Sequence, residues 1–375
     1  MNGPLEGIRI VEVGHMLAGP YCGLMLADMG AEVIKVEASE GDIARTVSPH
    51  FVGPHNAYFA SLNRNKKSVV LDLASESGRE SLGRVVTRSH ALVTNLRPSA
   101  IKKLGLTYDA LQRFNERLVC VALTGYGLDG PYSENPAYDY VIQAMTGVMA
   151  LTGDPTSPPT KAGYSAVDNS AGLVAALGLL AKIIQGRGGQ VDVSMYDVML
   201  SQLNYLAGAQ LNAGETIERM PASSHPYVVP AQIFPTQDGW LTLFITHDKF
   251  WKKFCEELGR PDWTVNPSFA SMTGRRKNRA EVVAAITGAL ESATAAEWVR
   301  RLAPLGVVAA EVGTLADALQ SDIAADRGLV VQLGNGDLPL RALASPIRFE
   351  GYKPSYGLPP LLDEHREEVL GWASA

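Results

Sequence analysis

Gly7-Ile8-Arg9-Ile10-Val11-Glu12-Val13, closed by Gly14, leads through His15-Met16-Leu17-Ala18-Gly19-Pro20 and Tyr21–Met29 to Gly30 and then Ala31-Glu32-Val33-Ile34-Lys35-Val36-Glu37. The first segment alternates towards one apolar face and reads as a strand. The middle reads as a helix ended by Gly30, and the last segment as a second strand. A strand–helix–strand unit opens a parallel sheet. Further strands are expected at Ser68–Leu73, His90–Asn95 and Leu118–Leu123, with helices over Ser75–Arg88 and Ser99–Arg117. The first half is therefore α/β, with a Rossmann-like topology. No GxGxxG follows the first strand, where His15–Pro20 carries only Gly19, and GxxxxGK[ST] is absent. Both absences speak against NAD or ATP held in the usual manner. Ligands of open α/β sheets still gather at the carboxyl ends of the strands. That rule groups His15–Leu17, Glu37–Arg45, Asn95–Pro98 and Thr124–Tyr126 around one crevice.

Working outward, 375 residues exceed the roughly 250–300 at which a single core stops growing, so two domains are expected. Ala171–Ile184 is apolar almost all round and reads as a buried helix. Gly186–Gln190 is a turn, Val191–Ser194 a short strand, Met195–Ala209 another helix, and 214–221 a linker. Ala231–Phe234, Gln237–Trp240 and Leu241–Ile245 read as a hairpin turning at Asp238-Gly239. Helices near Lys249–Leu258, Asn278–Leu290 and Ala296–Leu305 complete a smaller α+β unit. From Ala342 the chain turns Pro/Gly-rich and extended, as a segment returning across the first domain would be. The expected division is 1–210 for the first part of the large domain, 211–330 for the smaller one and 331–375 for the return.

A net charge of -6 argues against nonspecific nucleic-acid binding. No leader-like start and no uninterrupted apolar run of about 18 residues is present, so the expected setting is cytoplasmic, without a membrane partner. Cys22, Cys120 and Cys255 are far apart and the seven histidines are scattered, so neither a disulfide framework nor a metal site is expected.

The stretch with most chemistry is Lys161-Ala162-Gly163-Tyr164-Ser165-Ala166-Val167-Asp168-Asn169-Ser170-Ala171-Gly172. It sets a lone carboxylate among small residues at the entrance of the apolar helix. Local sequence favours Asp168 as the helix cap. The same position favours an ionised carboxylate, which suits a nucleophile. Asp139, ahead of another apolar stretch, reads as a cap. His15 is a general base by residue type only, with no partner acid placed. Arg64, Lys66 and Lys67, with Arg45, Arg97, Lys102 and Lys103 at other element ends, suggest an anionic ligand as readily as a solvated surface. No GxSxG elbow supports a serine triad.

Together these motifs resemble the family III CoA-transferases. The resemblance rests on Pro4–Ile10, Ala18-Gly19-Pro20, Leu26–Glu37, Asn63-Arg64-Asn65-Lys66-Lys67-Ser68-Val69, Thr124-Gly125-Tyr126-Gly127, Gly130-Pro131, Tyr138-Asp139, Gln143-Ala144, Gly153, Asp168 and Gly189–Val193. With Pro359–His365 it runs over nearly the whole chain. It implies an interlocked homodimer whose Rossmann-like large domain is built from both chain ends. It implies that Asp168 attacks an acyl-CoA thioester, giving an aspartyl anhydride and then an aspartyl-CoA thioester, on which a second carboxylic acid repeats the steps in reverse. No permanently bound cofactor is implied, and the partners are an acyl-CoA and a carboxylic acid. CoA contacts fall on His15, Met16, Leu17, Ala18, Leu71, Asn95, Leu96, Lys103, Leu104 and Tyr138. Arg45 and Arg97 join as phosphate candidates from charge and position. The formyl/oxalyl members carry glutamine where this chain has Leu17, together with a glycine-rich loop not found here. The chain looks closer to members that use dicarboxylates such as succinate. The α-methylacyl-CoA racemase branch is the nearest alternative, but it places a histidine where Tyr138 stands, and a phenol is a poor base near neutral pH. An alternative of another class is a noncatalytic CoA-binding subunit.

Overall fold

The computed structural model describes residues 3–374. It divides into two compact units. The first holds the described residues up to Thr146, then Gly163–Ala209, then those from Ser321 onward; the second holds Gly147–Ala162 and Gln210–Gln320. This division departs from the expected boundaries in two places: 147–162 cluster with the second unit, which ends at Gln320.

The first unit is built on six parallel strands: β1 Arg9–Val13, β2 Glu32–Glu37, β3 Lys66–Val70, β4 Ala91–Thr94, β5 Val119–Thr124 and β6 Gly189–Ser194. Their spatial order is β3-β2-β1-β4-β5-β6. The order reverses between β1 and β4, so a crevice opens beyond their carboxyl ends. The helices around it include α1 Ala18–Asp28, α2 Ala57–Asn63, α3 Glu76–Thr87, α4 Pro98–Lys103, α5 Asp139–Met145, α6 Ala166–Gln185 and α7 Met195–Ser201. The long helix expected over Ser99–Arg117 stops at Lys103, and Gly105 takes φ 70°, a left-handed turn that ends it.

The sheet is covered on both faces, as parallel sheets are. Val11, Ile34, Val69, Leu92 and Cys120 pack with Leu82, Val85 and Val86 of α3. Covering both faces also buries Glu12 completely. Its carboxylate is met by Lys35 Nζ at 2.8 Å and Lys66 Nζ at 2.7 Å. Burial alone would raise the Glu12 carboxyl, but these two ammonium groups hold it below the ordinary range. The edge strand β3 is closed off by the chain's last segment. Asp363 Oδ1 accepts from Val70 N at 2.7 Å and Ser68 O accepts from His365 N at 3.0 Å. α12, Arg366–Ser374, then packs against α3.

α6 corrects an expectation. It begins at Ala166, five residues earlier than the apolar pattern suggested, and only one side of it is buried. Ala171, Ala175 and Leu179 face inward, while Leu177 is 69% and Ile184 85% exposed. At 20 residues it is long and apolar enough to span a bilayer, yet it packs on α1, β5 and α7. Gly172 permits the approach to α1, since a Cβ there would lie 2.7 Å from Ala18 O.

The second unit has a three-stranded antiparallel sheet, β7 Ala231–Pro235, β8 Trp240–Phe244 and β9 Val308–Glu311, with β8 central. Its helices include α8 Asp248–Glu257, α9 Met272–Lys277, α10 Arg279–Leu290 and α11 Ala295–Leu302. Trp251, Trp263 and Trp298 are buried in its core.

Candidate active site

The crevice beyond β1 and β4 is shaped by a loop that the sequence pins from three sides. Asn95, just after β4, accepts from His15 N at 3.0 Å and donates to His15 O at 2.9 Å. Lys35 Nζ donates to Gly14 O at 2.9 Å and pairs with Asp42 at 2.8 Å. Asp42 Oδ1 accepts from Met16 N at 3.0 Å, holding Met16 at φ 64°, a conformation non-glycine residues avoid. Gly14 is required, because a Cβ there would lie 2.3 Å from Asn95 Oδ1.

The resulting cleft is lined by His15, Met16, Leu17, Ala18, Tyr58, Asn95, Leu96, Arg97, Thr124, Asn135, Tyr138 and Asp168, among others. A second cleft adjoins it, sharing His15 and Leu96, and is lined also by Leu71 and Leu104 at the ends of β3 and α4. The structure thus brings Asp168 together with most of the expected CoA contacts. Lys103 is exposed on the last turn of α4 and lines neither cleft.

Arg45 is a correction. It forks onto Glu37 at 2.6 and 2.8 Å, donates to Pro360 O and lies over the Phe59 ring, so its charge is neutralised within the fold. The basic run after α2 is likewise consumed internally. Arg64 forks onto Asp28, Lys66 is buried on Glu12, and Lys67 pairs with Glu32 and Glu368. Lys102 pairs with Asp129 at 3.1 Å. Arg97, by contrast, is exposed at the cleft wall.

Asp168 is the third residue of α6, and it does not cap that helix. The capping is supplied by Asp139, the first residue of α5, whose Oδ1 accepts from Val167 N at 2.8 Å. Asp139 Oδ2 accepts from Gln143 Nε2 at 2.6 Å. Asp139 was expected to cap its own helix; instead it serves its neighbour's. Among the described residues the Asp168 carboxylate receives no hydrogen bond and no ion pair, and it faces the cleft. Burial, and next the Asp139 charge, push its pKa up to about 7. The expectation of a carboxylate held ionised by the helix end is therefore overturned: desolvation and a neighbouring anion outweigh a dipole effect of about 0.3–1 kcal/mol.

Tyr58 went unread in the sequence. It stands at the start of α2, where Asn56 Oδ1 accepts its N–H at 2.9 Å. Burial, then the charges of Asp168 and Asp42, raise its phenol above the ordinary value, so it stays a hydrogen-bond donor in the cleft. Only the Asn56 cap signal precedes it, and that marks a helix, not a site. The three cysteines are buried as free thiols, and among the described residues no group of three His, Cys, Asp or Glu could hold a metal ion.

Comparison with known proteins gives a consistent result. Residues 5–366 match CoA-transferase family III. The chain is 32% identical to an acetyl-CoA:oxalate CoA-transferase of Acetobacter aceti, over 97% of this chain and 94% of that one. It is 33% identical to a succinyl-CoA:mesaconate CoA-transferase of Haloarcula hispanica, over 98% and 96%. A crystal structure of a CAIB/BAIF family protein from Brucella suis superposes with a TM-score of 0.87 at 32% identity, covering 100% of both chains.

Proposed function

The chain belongs to CoA-transferase family III and is a CoA-transferase; from that premise we propose that Asp168 is its nucleophile and that its carboxylic acid substrates include a dicarboxylate. The observation that carries the first part is the Asp168 carboxylate itself, facing a cleft with no hydrogen bond or ion pair from the described residues. A carboxylate tied up as a cap or in an ion pair would be a poor nucleophile.

In the proposed course an Asp168 oxygen attacks the thioester carbonyl carbon. The C–S bond breaks, CoA leaves as thiolate, and a mixed aspartyl anhydride remains. The thiolate then attacks the Asp168 carbonyl carbon, releasing the donor carboxylate and leaving an aspartyl-CoA thioester. The acceptor carboxylate attacks that thioester, expels the thiolate and forms the second anhydride. Attack of the thiolate on the acceptor's carbonyl gives the new acyl-CoA and restores the Asp168 carboxylate. One difficult exchange becomes steps between activated acyl groups. In this reading the neutral Tyr58 hydroxyl supplies a donor in the cleft, the exposed Arg97 at the cleft wall meets a CoA phosphate, and the adjoining cleft with Leu71, Leu96 and Leu104 offers an apolar wall for the rest of the carrier. The dicarboxylate preference draws its support from the oxalate and mesaconate in the names of two relatives.

We also infer a cytoplasmic homodimer; the exposed apolar side of α6 supports the pairing. The test of the nucleophile is to incubate the enzyme with acyl-CoA and then hydroxylamine or borohydride. Mass spectrometry is expected to find modification at Asp168 together with loss of activity. Inactivation with the label elsewhere would sink the reading. A screen of carboxylic acids against acyl-CoA donors tests the substrate class, and failure of every dicarboxylate would remove that preference.

A further inference from the structure

A cleft in the second unit, remote in sequence from Asp168, is lined by Met220, Pro226, Thr273, Arg276, Lys277 and Arg279. Three of the six are cationic and none is acidic. Arg279 Nη2 donates to His225 O at 3.0 Å and Pro226 O at 2.9 Å, while its Nη1 is buried without a hydrogen-bond partner. An orphaned buried donor bears its full desolvation penalty, larger when it belongs to a charged group, so native structures rarely leave one unserved.

The surroundings make the deficit larger. Burial first, and then the Arg276 charge, lower the Arg279 guanidinium below its ordinary value, which is what two cations without a counter-anion do to each other. Among the described residues no carboxylate pairs with Arg276, Lys277 or Arg279, although Arg275 on the same turn has Asp248 at 3.0 Å. Cations in the last turn of α9 complement the dipole of that six-residue helix, which accounts for Arg276 and Lys277 but leaves Arg279 Nη1 unexplained. Arg279 instead opens the 12-residue α10, whose N-terminus has no side-chain cap and adds positive field at the same place.

We propose that this cleft binds an oxyanion of the phosphate type, received by Arg279 Nη1 and framed by Arg276, Lys277 and the Thr273 hydroxyl. The anion is either free inorganic phosphate or a phosphate group carried on a CoA ligand.

Isothermal titration of the full chain with inorganic phosphate, in chloride buffer of constant ionic strength, tests the site. Wild type is expected to bind saturably, and the Arg276→Ala/Lys277→Ala double variant at least tenfold more weakly. Both side chains are exposed, and circular dichroism checks the fold; Lys277→Glu, a charge reversal at the rim, is the second variant and is expected to abolish the signal. No saturable binding by wild type, or an unchanged affinity in a folded variant, would overturn the proposal and leave a water as the partner of Nη1. Repeating the titration with CoA and with 3′-dephospho-CoA separates the sources. Displacement of phosphate by CoA alone assigns the site to its 3′-phosphate; undisturbed binding assigns it to the free ion.

Discussion

Asp168 and Asp139 divide between them two tasks that the sequence assigned to one residue. A carboxylate just ahead of a helix is a natural cap, and local sequence, with the helix read from Ala171, favours that role for Asp168. In the fold Asp139 takes the Val167 N–H, which frees Asp168 and at the same time places a second negative charge beside it. With its pKa pushed up to about 7, Asp168 is protonated below that pH and ionised above it, as the proposed nucleophile must be. Turnover of acyl-CoA is accordingly expected to rise with pH through about 7 and then level off, as steady-state rates between pH 5 and 9 would show. Asp139→Asn keeps an oxygen for Val167 N but removes the charge, so the midpoint should move to lower pH; an unmoved midpoint would refute the electrostatic assignment. Stability gives a reading independent of turnover. The folded carboxyl titrates above its unfolded value of about 3.9, so the proton-linked stabilisation is present at acid pH and lost as pH rises through about 7. Asp168→Asn escapes that loss. Its melting temperature should match wild type near pH 4 and exceed it by a few degrees at pH 8.

At the scale of elements, the loop from Gly14 to Ala18 shows what a linear reading can and cannot find. The strand–helix–strand opening and the crevice at the ends of β1 and β4 were legible, because hydrophobic alternation and glycine stops are local signals. The braces on the loop were not. Asn95 lies 80 residues from His15 and Asp42 lies 26 from Met16, and nothing in either neighbourhood announces a partner that distant. The same limit explains Arg45, Lys66 and Lys67: cations at element ends look available until their carboxylates arrive from other strands. Asn95→Ala would leave both backbone groups of His15 unpaired and release the wall shared by the two clefts. About 1–3 kcal/mol for such losses corresponds to a KM for acyl-CoA raised roughly 5- to 150-fold. The kcat should fall much less, because Asp168 stands on a different element. Equal losses in both would mean that the loop positions the reacting carbonyl as well as the carrier.

The whole molecule exposes the one place where a correct local pattern led to a wrong environment. α6 is apolar nearly all round, and burial within its own chain was the natural expectation. The fold buries the side bearing Ala171, Ala175 and Leu179 and leaves Leu173, Val174 and Leu177 at 45%, 39% and 69% exposure. Periodicity reports that a face avoids water; it does not report which chain covers it. Tyr140 and Val141 of α5 are exposed as well, at 63% and 39%. Exposed apolar side chains in such number are costly on a soluble monomer, and a second copy presenting the same helix would cover them symmetrically. The proposed homodimer therefore makes a specific demand on Leu177, whose side chain contributes nothing to its own chain's core. Leu177→Glu should keep the melting cooperative while light scattering falls from twice the mass of one chain to the mass of one. Activity should fall with it if Asp168, on the first turn of the same helix, needs the assembled interface to hold its position. A variant that stays dimeric would show that the second copy covers some other surface.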